Sequence, residues 1–275
     1  MQSLNNKIWR FIDTGAADGA FNMAVDEGLA RCTNSAEPIL RVYRWQPFTI
    51  SIGYHQNLDE LDLNKCKKDG VDVVRRPTGG RAIFHAHEVT YSIIIPKQSV
   101  WYANKTLEIY NHISSALVKG LQYIGMPVKL DRKDHYEPDF ADYNQRFACF
   151  ASTAKYEIQY QSKKLVGSAQ RRFENALLQH GSIILGNEHL NLLNYLSTNG
   201  NGQLMKARQR LQEKTICIET ILMRSVSYEE VVSNLKTGFE KYFDVNFQCR
   251  HLTSDELQKI EELKTKITEL RRNLL

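Results

Sequence analysis

The chain has 275 residues and is poor in cysteine, in proline and in long apolar runs. No segment approaches the roughly 18 consecutive apolar residues of a membrane-spanning helix, so we expect no transmembrane segment. The first ten residues also lack the apolar stretch of a secretory signal peptide. The cysteines are odd in number and widely spaced, which argues against a disulfide framework and predicts a reducing cytoplasm. They are Cys32, Cys66, Cys149, Cys217 and Cys249.

Strong charge of either sign is missing too. The 36 basic and 31 acidic residues leave a net charge of only +5, and no dense Lys/Arg stripe is present, so we expect no nucleic-acid partner. No Cys/His spacing is typical of zinc. His85 and His87 have no third ligand in pattern, so we predict no metal site.

Alternating and β-branched runs predict strands through the first two thirds of the chain, and longer amphipathic periods predict helices. The predicted strands cover 39–45, 48–53, 71–76, 81–84, 88–96, 156–160, 164–171 and 177–185. Helices are predicted over 18–31, 58–70 and 103–125, and they dominate after residue 187. This order predicts an α+β fold with a mixed, largely antiparallel sheet flanked by helices.

The C-terminal segment carries apolar residues at three- and four-residue spacing from Ile260 to Leu274. Two heptads are too few for a convincing coiled coil, so we favour a helix docked on its own domain over a self-pairing zipper. We therefore divide the chain into a core, residues 1–186, and a C-terminal helical extension, residues 187–275, packed on the same domain.

A turn with two adjacent glycines follows a predicted strand. Adjacent glycines let the backbone approach a ligand and direct amide N–H groups at it, and the flanking arginines could hold an anion. The pattern is neither a Walker A loop nor GxGxxG, and a tight turn with a solvated basic rim explains it equally well. The candidate binding residues here are Arg76, Thr78, Gly79, Gly80, Arg81 and His85.

Two further runs carry candidate site residues. Strand alternation would place Lys164, Val166 and Ser168 on one face, where a partly desolvated amine would be a usable base. Cys149 precedes this hairpin, and a thiol needs such a base or cation nearby to react at neutral pH. His180 is either a site histidine or a hydrogen-bonded structural one. The candidate binding residues in these runs are Gly167, Ser168, Ala169, His180 and Gly181.

Four ordered motifs, NMAVDE, RRPTGGRAIFH, KLVGSAQRR and QHGS, resemble the biotin/lipoate protein ligase and acyltransferase superfamily from about Trp9 to Leu185. The resemblance implies an α+β fold, a tunnel for a medium-chain acyl group and a functional lysine at Lys164. It makes residues 1–186 a catalytic acyltransferase core.

Three departures from the motifs of the lipoate ligases indicate which branch of the superfamily this chain resembles. ATP-dependent lipoate ligases have a third glycine where this chain has Arg81, a D-x-G-N element where it has His87 and Glu88, and no thiol at the position of Cys149. The chain instead resembles the Gram-positive-type, cysteine-dependent octanoyltransferases. That resemblance implies Cys149 as nucleophile and Lys164 as its activator.

The resemblance also implies the substrates. The donor would be an octanoyl-acyl carrier protein, and the acceptor a lysine of a lipoyl domain, such as the glycine cleavage H protein or a 2-oxoacid dehydrogenase E2 subunit. A thioester is already activated, so no cofactor, metal or nucleotide is expected. Amides near Gly79 and Gly80, or Ser168 and Ala169, could stabilise the oxyanion. The alternatives are an ATP-dependent lipoate ligase, an octanoyl amidotransferase between lipoyl carriers, and a non-catalytic binding subunit.

Overall fold

The computed structural model describes residues 7–132, 156–197 and 201–272. Cys149 lies outside these residues. Within them, the largest unit is a six-stranded sheet. In spatial order its strands are β10 (Val166–Arg172), β11 (Ala176–Ile184), β6 (Glu88–Pro96), β2 (Ile39–Trp45), β1 (Ile8–Ala17) and β12 (Asn246–Cys249).

The large sheet is mixed. β1 runs parallel to both β2 and β12, and the remaining neighbours are antiparallel. Every residue of β6 and of β11 is buried, as expected for central strands covered on both faces. Together with the flanking helices this confirms the predicted α+β class.

Two three-stranded sheets complete the β structure. One contains β3 (Thr49–Ile52) between β4 (Asp72–Arg75) and β5 (Ile83–His85). The other contains β8 (Tyr156–Tyr160) between β7 (Lys129–Arg132) and β9 (Lys163–Lys164).

The strand predicted over 164–171 is interrupted at Leu165. β9 pairs with β8, whereas β10 leaves to pair with β11 in the large sheet. Leu165 bridges the two sheets, because its N–H donates to Ile158 and its carbonyl accepts from Ile184. The prediction of one continuous strand over 164–171 is therefore wrong. The shared face of Lys164 with Val166 and Ser168, which depended on that strand, stays a prediction.

The helices pack in two pairs. α3 (Thr106–Tyr123) lies against α6 (Tyr228–Phe243), and α1 (Gly19–Cys32) lies against α7 (Ser254–Arg272). The remaining α-helices are α2 (Leu63–Lys68), α4 (Asn201–Lys214) and α5 (Ile218–Leu222). Among the described helices, none has the length and hydropathy needed to cross a bilayer.

The α3–α6 contact is close because two glycines meet there. A Cβ built on Gly238 would lie 2.3 Å from the amide nitrogen of Gly120, and no such contact is sterically possible. Around it, Leu117, Leu235 and Phe239 are completely buried, so this pair forms much of the largest apolar cluster.

The C-terminal stripe docks on α1. Ile260 is buried, a Cβ on Gly28 would lie 2.9 Å from its Cγ1, and Leu263 packs on the same cluster. Ile267 also contacts the cluster of Met23, Tyr43, Trp45 and Val74. β12, from the same part of the chain, joins the large sheet beside β1. The division at residue 186 stays a prediction.

Candidate active site

A narrow cavity is lined by the β10–β11 hairpin together with residues of α1, β2, β3, β5 and β6. Its volume is about 20 Å³, far below the several hundred Å³ of a typical small-molecule pocket. Four side chains with large apolar parts, Met23, Tyr43, Trp45 and Ile83, line it. Seven of the predicted site residues also line it: Arg76, His85, Gly167, Ser168, Ala169, His180 and Gly181.

Arg76 holds the glycine turn together. Its guanidinium donates to the carbonyl of Gly79 at 3.0 and 3.1 Å and to the carbonyl of Arg81 at 2.6 Å. It also donates to the carbonyl and hydroxyl of Ser51. These contacts make Arg76 a buried group that holds the turn in place, and its predicted role in binding an anion stays a prediction.

The turn needs a glycine at position 80. Gly80 has φ of +92°, a region that residues with a Cβ rarely adopt, and a Cβ there would lie 2.8 Å from Nη2 of Arg76. The same Cβ position is 4.0 Å from Cβ of Ala169. The turn and strand β10, two separate candidates in the sequence, therefore lie next to each other.

The amides of this turn are available to a ligand. In the part of the chain that the structure describes, the N–H groups of Gly79 and Gly80 donate to no protein group. Gly80 is exposed and Gly79 half-buried, so both lie near the protein surface.

His180 belongs to a chain of buried polar groups. Its Nδ1 lies 2.8 Å from Oδ2 of Asp26, and its Nε2 lies 2.6 Å from Oγ1 of Thr78. Asp26 is fully buried and also accepts from Arg41 at 2.6 Å and from the hydroxyl of Tyr43 at 2.8 Å.

The charges in this chain are fixed by burial and pairing. Burial opposes ionisation of Asp26, but Arg41 and His180 together hold the pKa of its carboxyl below the ordinary value. Burial lowers the pKa of His180, and it outweighs the opposing attraction of Asp26. At neutral pH the network therefore contains an Asp26 carboxylate, an Arg41 guanidinium and a neutral His180.

His85 has a second, similar arrangement. Its Nδ1 lies 2.7 Å from Oε1 of Glu88, and its Nε2 lies 2.7 Å from Oγ of Ser51. Burial disfavours the charged form of Glu88, but His85 and two hydroxyl donors hold the pKa of the carboxyl below its ordinary value. Trp45 stacks on the imidazole at 4.1 Å between centroids. The cavity is thus bordered by two carboxylate–histidine–hydroxyl chains.

Gly181, on β11 of the β10–β11 hairpin, allows close packing within the protein. A Cβ on Gly181 would lie 2.5 Å from the carbonyl oxygen of Gly167 and 2.7 Å from the ring of Tyr91. The hydroxyl of Ser168 lies 2.7 Å from that of Tyr91. Contacts within the protein are therefore enough to explain why a glycine is needed at position 181.

Lys164 lies on the short strand β9 and is buried. Its Nζ is 3.1 Å from Oε1 of Glu157 on β8, and both side chains are more than 90% buried. Glu157 also accepts from the amide of Gln159 at 2.7 Å. The backbone of Lys164 is held as well, because its carbonyl accepts from Ile216. A buried lysine held beside a carboxylate is chemically suited to proton transfer.

Sequence reasoning missed the acidic members of this site. Asp26 stands inside the NMAVDE motif and Glu88 three residues after the RRPTGGRAIFH motif, yet neither was assigned a role in the site, because nothing local shows that they meet histidines. Glu157 was likewise passed over in its strand. A signal was present for Asp26: an acid on the apolar stripe of a predicted helix calls for a buried partner.

Within the described ranges, no group of three or more His, Cys, Asp or Glu side chains could hold a metal ion.

The family model of the lipoyl protein ligase A/B catalytic domain matches residues 18–240, and the chain belongs to this family. Among its relatives is Octanoyltransferase LipM of Clostridioides difficile, 37% identical over 262 residues, covering 94% of this chain and 95% of the relative. Octanoyltransferase LipM of Geobacillus kaustophilus is 35% identical over 263 residues, covering 94% of each. The predicted family is confirmed.

Solved structures with the same fold are lipoate-protein ligases. A lipoate-protein ligase A crystallised with ATP has a TM-score of 0.74 at 23% identity, covering 94% of each chain. A bipartite lipoate protein ligase from Thermoplasma acidophilum has a TM-score of 0.75 at 23% identity, covering 94% of this chain and 92% of the other. At this identity the likeness concerns the fold alone.

Proposed function

We propose that this protein is an octanoyltransferase of protein lipoylation that works through a thioester on Cys149. The observation that carries the proposal is the similarity to Octanoyltransferase LipM over nearly the whole length of both chains. The geometry supports acyl transfer in particular, since a turn with available amides stands beside a narrow cavity that has a partly apolar wall.

In the first half-reaction the sulfur of Cys149 attacks the thioester carbonyl of an octanoyl-acyl carrier protein. A new C–S bond forms, the original C–S bond breaks, and the carrier leaves as a thiol. Lys164, as the free amine, takes the proton of the Cys149 thiol and then gives it to the departing sulfur. Glu157 holds the ammonium group that exists between these two transfers.

In the second half-reaction a lysine amine of a lipoyl-accepting domain attacks the acyl-enzyme. An amide forms, the Cys149 sulfur leaves, and the amine proton returns to it through Lys164. During both steps the amides of Gly79 and Gly80 stabilise the oxyanion. Acceptors of this kind include the glycine cleavage H protein and 2-oxoacid dehydrogenase E2 subunits, and a reducing cytoplasm would keep the thiol free.

The cavity must widen to admit an octanoyl chain. The described residues enclose about 20 Å³, so lining side chains have to move when the acyl group enters. Met23 is the best candidate among them, because its unbranched thioether changes rotamer easily. The proposal therefore includes an adjustable acyl tunnel rather than a preformed one.

The test is a transfer assay with the full chain and an apo lipoyl domain, read by the mass of that domain. Octanoyl-acyl carrier protein alone should octanoylate it. Transfer only with free octanoate, magnesium and ATP would replace the proposal with a ligase. Transfer only from an octanoylated H protein would replace it with an amidotransferase. Transfer from no donor would make the protein a binding subunit.

A further inference from the structure

Thr78 is tied to the protein interior through a continuous chain of hydrogen bonds. The chain runs from Arg41 to Asp26, then to His180, and ends at the Thr78 hydroxyl, with successive contacts of 2.6, 2.8 and 2.6 Å. All four residues are at most 5% exposed. Thr78 is the residue immediately before the two glycines of the turn.

The direction of each hydrogen bond in this chain follows from its charges. Because Asp26 is a carboxylate, Nδ1 of His180 must carry the proton between them. Because burial keeps His180 neutral, its Nε2 has no proton and accepts one from Thr78. The Thr78 hydroxyl is therefore a fixed donor, held at a single position and orientation.

The carbonyls of the turn are fixed as well. Arg171 donates to the carbonyl of Pro77 at 2.7 Å, the amide of Tyr54 to that of Thr78 at 2.9 Å, and Arg76 to that of Gly79. In a planar trans peptide the C=O and the next N–H point in opposite directions. The amides of Gly79 and Gly80 are thus directed away from the groups that bind the preceding carbonyls.

We propose that Asp26 and His180 are positioning residues that set the turn amides for the acyl carbonyl by fixing Thr78. Neither is expected to touch the reacting atoms. The inference rests on the proposed function, in which those amides stabilise the oxyanion. Donors in such a site must already be in position before charge develops, and a displacement of about 1 Å can cost on the order of 100-fold in rate.

The experiment compares three threonine variants in the full-length protein. Thr78→Val removes the donated hydrogen bond, and Thr78→Ser retains it. Thr49→Val is the matched control, because Thr49 is also fully buried with one hydroxyl hydrogen bond, to Pro47, but lies outside the cavity and the turn. The rate of octanoyl transfer from octanoyl-acyl carrier protein to Cys149 is followed by intact mass, across donor concentrations.

We expect Thr78→Val to lower the saturating acylation rate about 10- to 100-fold while the half-saturating donor concentration changes less than threefold. Thr78→Ser should restore most of the rate, and Thr49→Val should acylate like the wild type. A Thr78→Val protein that acylates at the wild-type rate would overturn the positioning role of Asp26 and His180 but leave the proposed function standing. A wild-type protein that never acquires an octanoyl group would overturn the proposed function and this inference with it.

A second measurement does not depend on any variant folding. In ¹⁵N-histidine spectra of the wild type, His180 should be the neutral Nδ1–H tautomer at pH 7. An Nε2–H tautomer or an imidazolium would contradict the chain of donors, because Thr78 could then no longer donate to the ring.

Discussion

The cavity wall and the α3–α6 helix pair are both buried, but the first contains paired charged and polar side chains and the second contains apolar ones. Around the cavity, two carboxylates, Asp26 and Glu88, are held by histidines, hydroxyls and an arginine. Between the helices, side chains such as Leu117 and Phe239 surround a glycine contact and no charge is buried there among the described residues.

The contrast separates stability from function. Burying paired charges adds little net stability, and often less than apolar side chains of the same volume would add. Apolar burial and close packing, by contrast, are the main stabilising terms of a fold. We infer that the helix pair stabilises the protein, whereas the polar network is retained because it fixes donor and acceptor positions at the cavity.

The largest expected effect is on activity, from Cys149→Ala. If Cys149 is the nucleophile, octanoyl transfer should fall by on the order of 10³-fold or more. Cys249→Ala, which alters an exposed thiol, is the control and should keep full activity. The assay is transfer to an apo lipoyl domain, with circular dichroism to compare the folds. Substantial turnover in Cys149→Ala would remove the thioester route.

Asp26→Asn should produce the largest stability loss in the polar network. It leaves Arg41 buried without its charge partner, and breaking such a pair typically costs about 3–5 kcal/mol. Urea unfolding at pH 7 measures this, and Asp59→Asn, at an exposed position, should change the unfolding free energy by less than about 0.5 kcal/mol. Equal values for the two variants would mean that the buried charges are not coupled as described.

Gly238→Ala should destabilise the helix pair without a direct effect on chemistry. Its Cβ would overlap the backbone of Gly120, and overpacking of this kind usually costs about 1–3 kcal/mol. Ser233→Ala, on the exposed face of the same helix, is the control. At a temperature where both variants stay folded, their transfer rates should match the wild type. A rate loss in Gly238→Ala alone would contradict the conclusion that the helix pair serves stability and not the chemistry of the cavity.

A smaller effect concerns pH. Burial lowers the pKa of His189 to about 4. The imidazole of His189 therefore binds a proton less readily in the folded protein than in the unfolded chain, where histidine titrates near 6.5. Stability should therefore fall as the pH drops through 6.5, by about 1–2 kcal/mol from this group between pH 7 and pH 5. In His189→Gln this part of the loss should disappear from urea unfolding curves. An unchanged pH dependence would show that His189 is not kept neutral by the fold.

Sequence patterns captured elements whose signal is local. β6 was predicted with its observed bounds, and α3 ends close to the predicted Gly125, because each has a long apolar pattern with clear turn residues. β12 was missed because its four residues form a strand only beside β1, more than 200 positions earlier. The break at Leu165 was missed because a bridge between two sheets looks like one continuous strand in sequence.

The same distinction applies to the site. The glycine turn and the QHGS run were found from local composition, but their joining through Thr78 and His180 spans 102 residues. The contact between His180 and Asp26 spans 154. No periodicity encodes such pairs, so the acids that orient the histidines, and Glu157 beside Lys164, could be assigned only from the structure.

The most direct test of the thioester route is the mass of the protein after mixing with octanoyl-acyl carrier protein, without any acceptor. The account predicts one octanoyl group on the peptide that contains Cys149, which is lost when an apo lipoyl domain is added. An unmodified Cys149 in a sample that nevertheless transfers octanoyl groups when the acceptor is present would contradict it.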